Sequence, residues 1–116
     1  MYKLLVTGHF DAAHHLRDYK GKCARPHGHR FTAQVEISGT DLDSTGMLID
    51  FVAVKRSLLS ILDELDHNDL NSVLDFNPTA ENLAKWIYSN IKVVIPQVTS
   101  VTIWESPDCG VTYGNE

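Results

Sequence analysis

The chain has 116 residues, 43% of them hydrophobic and 22% charged, and carries a formal net charge of -5. These values fit one globular domain spanning residues 1–116 with a real hydrophobic core, and they exclude disordered and collagen-like classes. The acidic balance argues against nucleic-acid binding, no apolar run approaches membrane-spanning length, and the opening MYKLLVTGHF turns polar too soon for a signal peptide. The cytoplasm is the expected location, with Cys23 and Cys109 as two separate thiols.

Residues 2–15 read as a first strand, with Val6, Phe10, Ala12 and His14 sharing one face at period two. A loop follows in which Arg17, Lys20, Lys22, Arg25 and Arg30 supply half of the ten basic residues against one acid, Asp18. Such a cluster suits a solvated loop or a polyanionic substrate. In the second strand Phe31, Ala33, Val35 and Ile37 alternate with Thr32, Gln34, Glu36 and Ser38, so one side is buried. The segment SGTDLDSTG breaks the pattern with turn residues.

Asp50 is placed to cap a helix whose stripe is Phe51, Val54, Leu58, Leu62 and Leu65. Loop residues run on through Asn77-Pro78. Thr79 then caps a second helix with Leu83, Ile87, Ile91 and Val94 along one stripe, ending before Pro96. Val98–Ser106 and Cys109–Tyr113 are the last strands. The order predicts an α+β fold, a four-stranded antiparallel sheet with two helices on one face. Its two open edges favour an oligomer that joins sheets into a barrel.

The stretch CARPHGH, residues 23–29, carries the chemistry. Extending the second strand backwards puts His27 and His29 on its buried face, with Gly28 between them leaving room. Paired with the first strand as a hairpin, they converge with His14, whereas parity turns His9 and His15 away. Three imidazoles with an open fourth position suit catalytic zinc. Cys23 is then either a fourth ligand closing a structural site, or a free base or nucleophile flanked by Lys22 and Arg25, a setting that favours a thiolate.

Two acidic features add to this. Asp66-His67 follows the first helix, as a capping pair in a polar loop or as a proton-transfer pair in which the carboxylate orients the imidazole. Glu105, in VTIWES, shares parity with Val101 and Ile103 and so faces inward. A buried acid needs a protein partner or a ligand, and a carboxylate suits two parallel N–H donors such as those of an amino-pyrimidinone ring.

FDAAHHL with His14, CARPHGH, GMLIDF, LDHNDLN, NPTAENLAKWI and WES followed by CGVTY occur in that order along nearly the whole chain. Together they resemble the 6-pyruvoyl-tetrahydropterin synthase and 6-carboxytetrahydropterin synthase family. The resemblance implies a tunnelling fold, a homohexamer built as a dimer of trimers, and active sites between subunits that act on 7,8-dihydroneopterin triphosphate. By motif matching, His14, His27 and His29 bind zinc, Cys23 is the proton-abstracting thiolate, Asp66 and His67 assist proton transfer, and Glu105 anchors the pterin. Thr79 and Glu81 match the NPT-x-E segment, a helix start with ligand contact open, and Arg25 joins the substrate-binding set.

The compact length and the CARPHGH spacing resemble the microbial carboxy branch of queuosine and deazaguanine biosynthesis. That branch yields 6-carboxy-5,6,7,8-tetrahydropterin, acetaldehyde and triphosphate. The pyruvoyl branch, which keeps the side chain, shares all the residues named. A different class also stays open, a non-catalytic zinc- or pterin-binding protein.

Overall fold

The computed structural model describes residues 1–114. The strands β1 (Tyr2–His14), β2 (His27–Gly39), β3 (Val98–Ser106) and β4 (Cys109–Gly114) form an antiparallel sheet in the order β1-β2-β3-β4, as the alternating patterns predict. Helix α1 (Phe51–Leu62) lies over β1, and α3 (Ala80–Val94) lies over β3 and β4. A third helix, α2 (Leu70–Val73), is only four residues long and falls where the sequence reads as loop. One turn is too short to show a helical period.

Both long helices start where the sequence places their caps. Asp50 accepts a hydrogen bond from the Val52 amide, and Thr79 accepts one from the Asn82 amide at 3.1 Å. The core lies between these helices and one sheet face, where Phe31, Ala33, Val35 and Ile37 of β2 are fully buried beside Val6, Phe10 and Ala12 of β1. Gly8 of β1 is there for close approach, since a Cβ on it would sit 3.0 Å from a Leu62 methyl.

Two helix stripes run short of their predicted ends. Phe51 and Val94 are exposed, while Val54, Leu58, Ile61 and Leu62 of α1 and Leu83, Ala84, Ile87, Tyr88 and Ile91 of α3 are buried. Phe51 sits at the first turn, in the surface groove beside Tyr2, Leu4 and Met47, and Val94 is the last residue of its helix. Among the described residues, no helix is long and apolar enough to cross a membrane.

The β1–β2 hairpin brings the chemistry-bearing residues to one end of the sheet. In its register Phe10 faces Phe31, Ala12 faces His29 and His14 faces His27. The strands therefore deliver a phenylalanine layer and a histidine layer to one face in succession. The Phe10 and Phe31 rings stack at 4.8 Å. Gly28 is not needed to make room, because a Cβ there would meet only the Ala12 carbonyl at 3.8 Å, ordinary contact.

Candidate functional site

The three imidazoles expected to converge do so. His14 lies 4.5 Å from His27 and 5.2 Å from His29 between ring centroids, and His27 and His29 are 4.8 Å apart. One nitrogen from each ring falls within 4.8 Å of the other two, which fits a single metal ion. The rings are aimed by their far nitrogens. His14 Nδ1 bonds the Pro78 carbonyl at 2.8 Å, and His27 Nδ1 bonds the Arg25 carbonyl at 2.7 Å. A backbone carbonyl can only accept, so each Nδ1 carries the proton and each Nε2 keeps its lone pair.

Among the described residues, the Nε2 atoms of His14 and His29 are buried without a hydrogen-bond partner. A buried polar atom left unpaired costs about 1–3 kcal/mol, so two such atoms facing one point call for an occupant. Phe31 forms an apolar floor, its ring edge-on to His14 at 5.3 Å and to His29 at 5.4 Å. Burial lowers the pKa of both His14 and His29, keeping them in the neutral form that binds metals. His9 and His15 point elsewhere, to Thr32 and Asn71.

Glu105 reaches this centre, its carboxylate 3.9 Å from His14 Nε2. It is the extra residue of a β-bulge, since Trp104 pairs with Gly110 while Ser106 pairs with Cys109. Bulges re-aim side chains, which alternation alone cannot reveal. Among the described residues, no lysine or arginine forms a salt bridge with Glu105. Beside it opens a cleft of about 340 Å³ lined by Leu16, Thr79, Ala80, Glu81, Glu105 and Cys109 with two β4 neighbours. Thr79, Glu81 and Glu105 are thus brought together, and the exposed Arg25 is not among the lining residues.

Cys23 and Cys109 are free thiols, as expected. Cys23 is half-buried in a short 3₁₀ turn, Lys22–Ala24, and its sulfur does not belong to the three-histidine group. Its carbonyl accepts a hydrogen bond from the Leu16 amide at 2.6 Å, tying its loop to the backbone just past His14.

Asp66 and His67 form a separate group with Asp11. Their side chains pair at 2.9 Å. Asp66 also accepts the Asp11 amide at 2.9 Å, and the His67 amide donates to the Asp11 carbonyl. The pair therefore sits on the free edge of β1, and one chain alone does not bring it into the three-histidine group. His67 takes a left-handed backbone with φ 57°, a conformation uncommon for a non-glycine residue. The hydrogen bond and charge of Asp66 raise the His67 pKa, while the Asp11 amide and His67 lower that of Asp66. The basic loop is partly committed, because Arg30 pairs with both Asp11 oxygens and Arg17 donates to the Asn71 carbonyl.

Fold and site together define an antiparallel α+β protein with a three-histidine centre able to hold a metal, joined through Glu105 to a neighbouring cleft. The chain belongs to the 6-pyruvoyl tetrahydropterin synthase family, whose model matches residues 3–116, and it has the tunnelling fold. A 6-carboxy-5,6,7,8-tetrahydropterin synthase of Synechocystis sp. is 35% identical over 111 residues, covering 90% of this chain and 86% of the relative. A dihydroneopterin monophosphate aldolase of Pyrococcus furiosus is 32% identical over 112 residues, 94% of each chain. The structure of Caenorhabditis elegans 6-pyruvoyl tetrahydropterin synthase superimposes with a TM-score of 0.89 at 27% identity, covering 99% of this chain and 96% of that one.

Proposed function

We propose that the protein is a zinc-dependent lyase converting 7,8-dihydroneopterin triphosphate and one water molecule to 6-carboxy-5,6,7,8-tetrahydropterin, acetaldehyde and triphosphate. The observation that carries this reading is the pair of buried Nε2 atoms, on His14 and His29, that have no hydrogen-bond partner among the described residues, in a cluster faced by the Glu105 carboxylate, which forms no lysine or arginine salt bridge there. An imidazole trio with no sulfur in the set fits zinc with an open position. Bound there by His14, His27 and His29, zinc supplies Lewis acidity that makes the hydroxyl and C–H groups of the substrate side chain more acidic.

The protein's own residues do the rest. Glu105 accepts two N–H bonds from the pterin ring, orienting the C6 side chain toward the histidines, with Thr79 and Glu81 along the cleft wall. The Cys23 thiolate removes a side-chain proton. His67, held by Asp66, handles the second transfer, its raised pKa suiting it to carry a proton near neutral pH. Lys20, Lys22 and Arg25 meet the triphosphate. Asp66 and His67 occupy the outer edge of β1, so they serve the centre of a neighbouring copy, in a barrel-closing assembly expected to be a hexamer of two trimers.

The Pyrococcus relative favours a second reading, because its match spans 94% of this chain. In that case the enzyme cleaves a carbon–carbon bond in the side chain of the monophosphate in aldolase fashion, with the same proton-moving residues. Zinc-loaded protein is incubated with dihydroneopterin triphosphate and, separately, with the monophosphate, and the products are identified by mass spectrometry. Acetaldehyde with a 6-carboxypterin supports the lyase. A retained three-carbon side chain moves the reaction to the pyruvoyl branch, a phosphorylated two-carbon aldehyde moves it to the aldolase, and no turnover of either substrate overturns the enzyme reading.

A further inference from the structure

The segment between the metal-facing His14 and the Cys23 loop belongs to no strand or helix, yet its first residues are firmly held. Asn71 accepts the His15 amide through Oδ1 at 2.9 Å and donates from Nδ2 to the His15 carbonyl at 3.1 Å. Asn77 repeats the pattern two residues on, accepting the Arg17 amide at 2.9 Å and donating to the Arg17 carbonyl at 3.4 Å. A carboxamide carries the same donor and acceptor as a peptide unit, so each asparagine pairs with the backbone as a neighbouring strand would. Between the two clamps, Leu16 turns its amide the other way and donates to the Cys23 carbonyl. The clamped stretch is thus the rail on which the Cys23 turn hangs.

The clamps are themselves anchored. The Asn71 amide, in the single turn of α2, donates to the Asp69 cap, and the Asn77 carbonyl accepts from the Asn82 side chain of α3 and from the Thr79 amide. The residue after Asn77 is Pro78, whose buried carbonyl holds His14 Nδ1. One short segment, residues 77–79, therefore fixes a metal-facing imidazole, the rail of the Cys23 loop and a wall of the cleft. The turn that carries Cys23 has no buried residue of its own to hold it in place.

We infer that Asn71 and Asn77 are positioning residues for Cys23, two side-chain clamps that set the thiol's distance from the metal centre without touching substrate. This rests on the reading of Cys23 as the base. Misplacing a reacting group by about 1 Å can cost about 10²-fold in rate, which is the loss expected in kcat for Asn71→Ala and Asn77→Ala. KM stays within about threefold and zinc content is unchanged, because the pterin anchor and the three imidazoles remain.

The test measures three quantities on the zinc-loaded full-length protein: steady-state constants with dihydroneopterin triphosphate, zinc per chain, and exchange of the Leu16 amide hydrogen by NMR. Asn90→Ala, which removes an amide whose one side-chain hydrogen bond among the described residues goes to the Trp86 carbonyl within α3, is the control and keeps wild-type kcat. The proposal expects Leu16 exchange to rise by about tenfold or more in each clamp variant while kcat falls and zinc stays. Unchanged Leu16 exchange overturns it, as does unchanged kcat in a variant whose Leu16 amide has been freed. A kcat loss that tracks zinc loss also overturns it, transferring the effect to His14. If Cys23→Ala keeps full turnover, the failure lies in the base assignment, and the clamps fall as catalytic devices even where Leu16 exchange responds.

Discussion

Replacing His29 by leucine distinguishes a metal ligand from a satisfied core histidine. Its Nε2 is buried and unpartnered, and its ring rests edge-on against Phe31 at 5.4 Å. Leucine has a similar bulk, keeps the contact with Phe31 and removes the unpaired nitrogen. Leaving a buried polar atom unpaired costs about 1–3 kcal/mol. The ring is only partly buried, so the lower end, about 1 kcal/mol, is the expected gain, equivalent to about 4 °C in Tm for a protein of this size. Bound metal stabilises the parent protein as well, by satisfying that same nitrogen, and the variant loses this second gain. Free zinc at 100 times its Kd stabilises the folded state by about 2.7 kcal/mol, about 10 °C on the same scale. Calorimetric melting of chelator-stripped protein, with and without added zinc at one protein concentration, reads both terms. The metal-free His29→Leu variant melts about 4 °C above the metal-free parent, and most of the zinc-dependent rise disappears. A variant that melts several degrees lower without metal, yet keeps the full rise with zinc, would refute the reasoning.

Three further outcomes are expected from the same geometry. Cys23→Ala lowers kcat by about 10²–10⁴-fold, the usual worth of a positioned base, while zinc per chain stays unchanged; loss of zinc with activity would make the sulfur a ligand. Asp66→Asn removes the partner that raises the His67 pKa, so NMR titration of the His67 ring gives a lower value than in the parent, and the alkaline limb of the kcat profile moves to lower pH. Burial lowers the pKa of His14 and His29, so the unfolded state binds more protons than the folded one at mildly acid pH. The metal-free protein therefore loses stability as pH falls below the ordinary imidazole value of about 6.5 toward the lowered values of these two rings, and zinc leaves over the same window; melting and zinc retention measured against pH check both.

The sheet and the histidine cluster were legible because alternation is a local property. Once Phe31, Ala33, Val35 and Ile37 identify the buried face of β2, counting back by twos reaches His29 and His27, and the hairpin brings in His14. Capping was legible for the same reason, since Asp50 and Thr79 each act within three residues of themselves. What could not be read depends on distant pairing. Asn71 and Asn77 grip residues 56 and 60 positions away, and nothing in LDHNDLN or NPTAE identifies the partner. The bulge at Glu105 leaves no local mark, although the inward parity of that carboxylate was readable. The stripes through Phe51 and Val94 mark helix faces correctly but do not show where the sheet beneath them stops.

The basic loop illustrates a limit of another kind. Five cations between residues 17 and 30 suggest a single anion site, yet Arg30 faces the opposite side of the sheet from His29 and closes on Asp11. Composition counts it with the others, and strand parity separates it. The same parity and edge logic sets Asp66 and His67 apart from the three imidazoles, which is why the catalytic reading requires a second copy of the chain.

X-ray absorption at the zinc edge of the loaded protein separates a free Cys23 from a coordinated one most directly. Nitrogen or oxygen neighbours alone at about 2.0 Å, with imidazole scattering beyond them, are expected, and the spectrum should not change in Cys23→Ala. A sulfur shell at about 2.3 Å that vanishes in that variant would make Cys23 a ligand and remove the base on which the proposed chemistry depends.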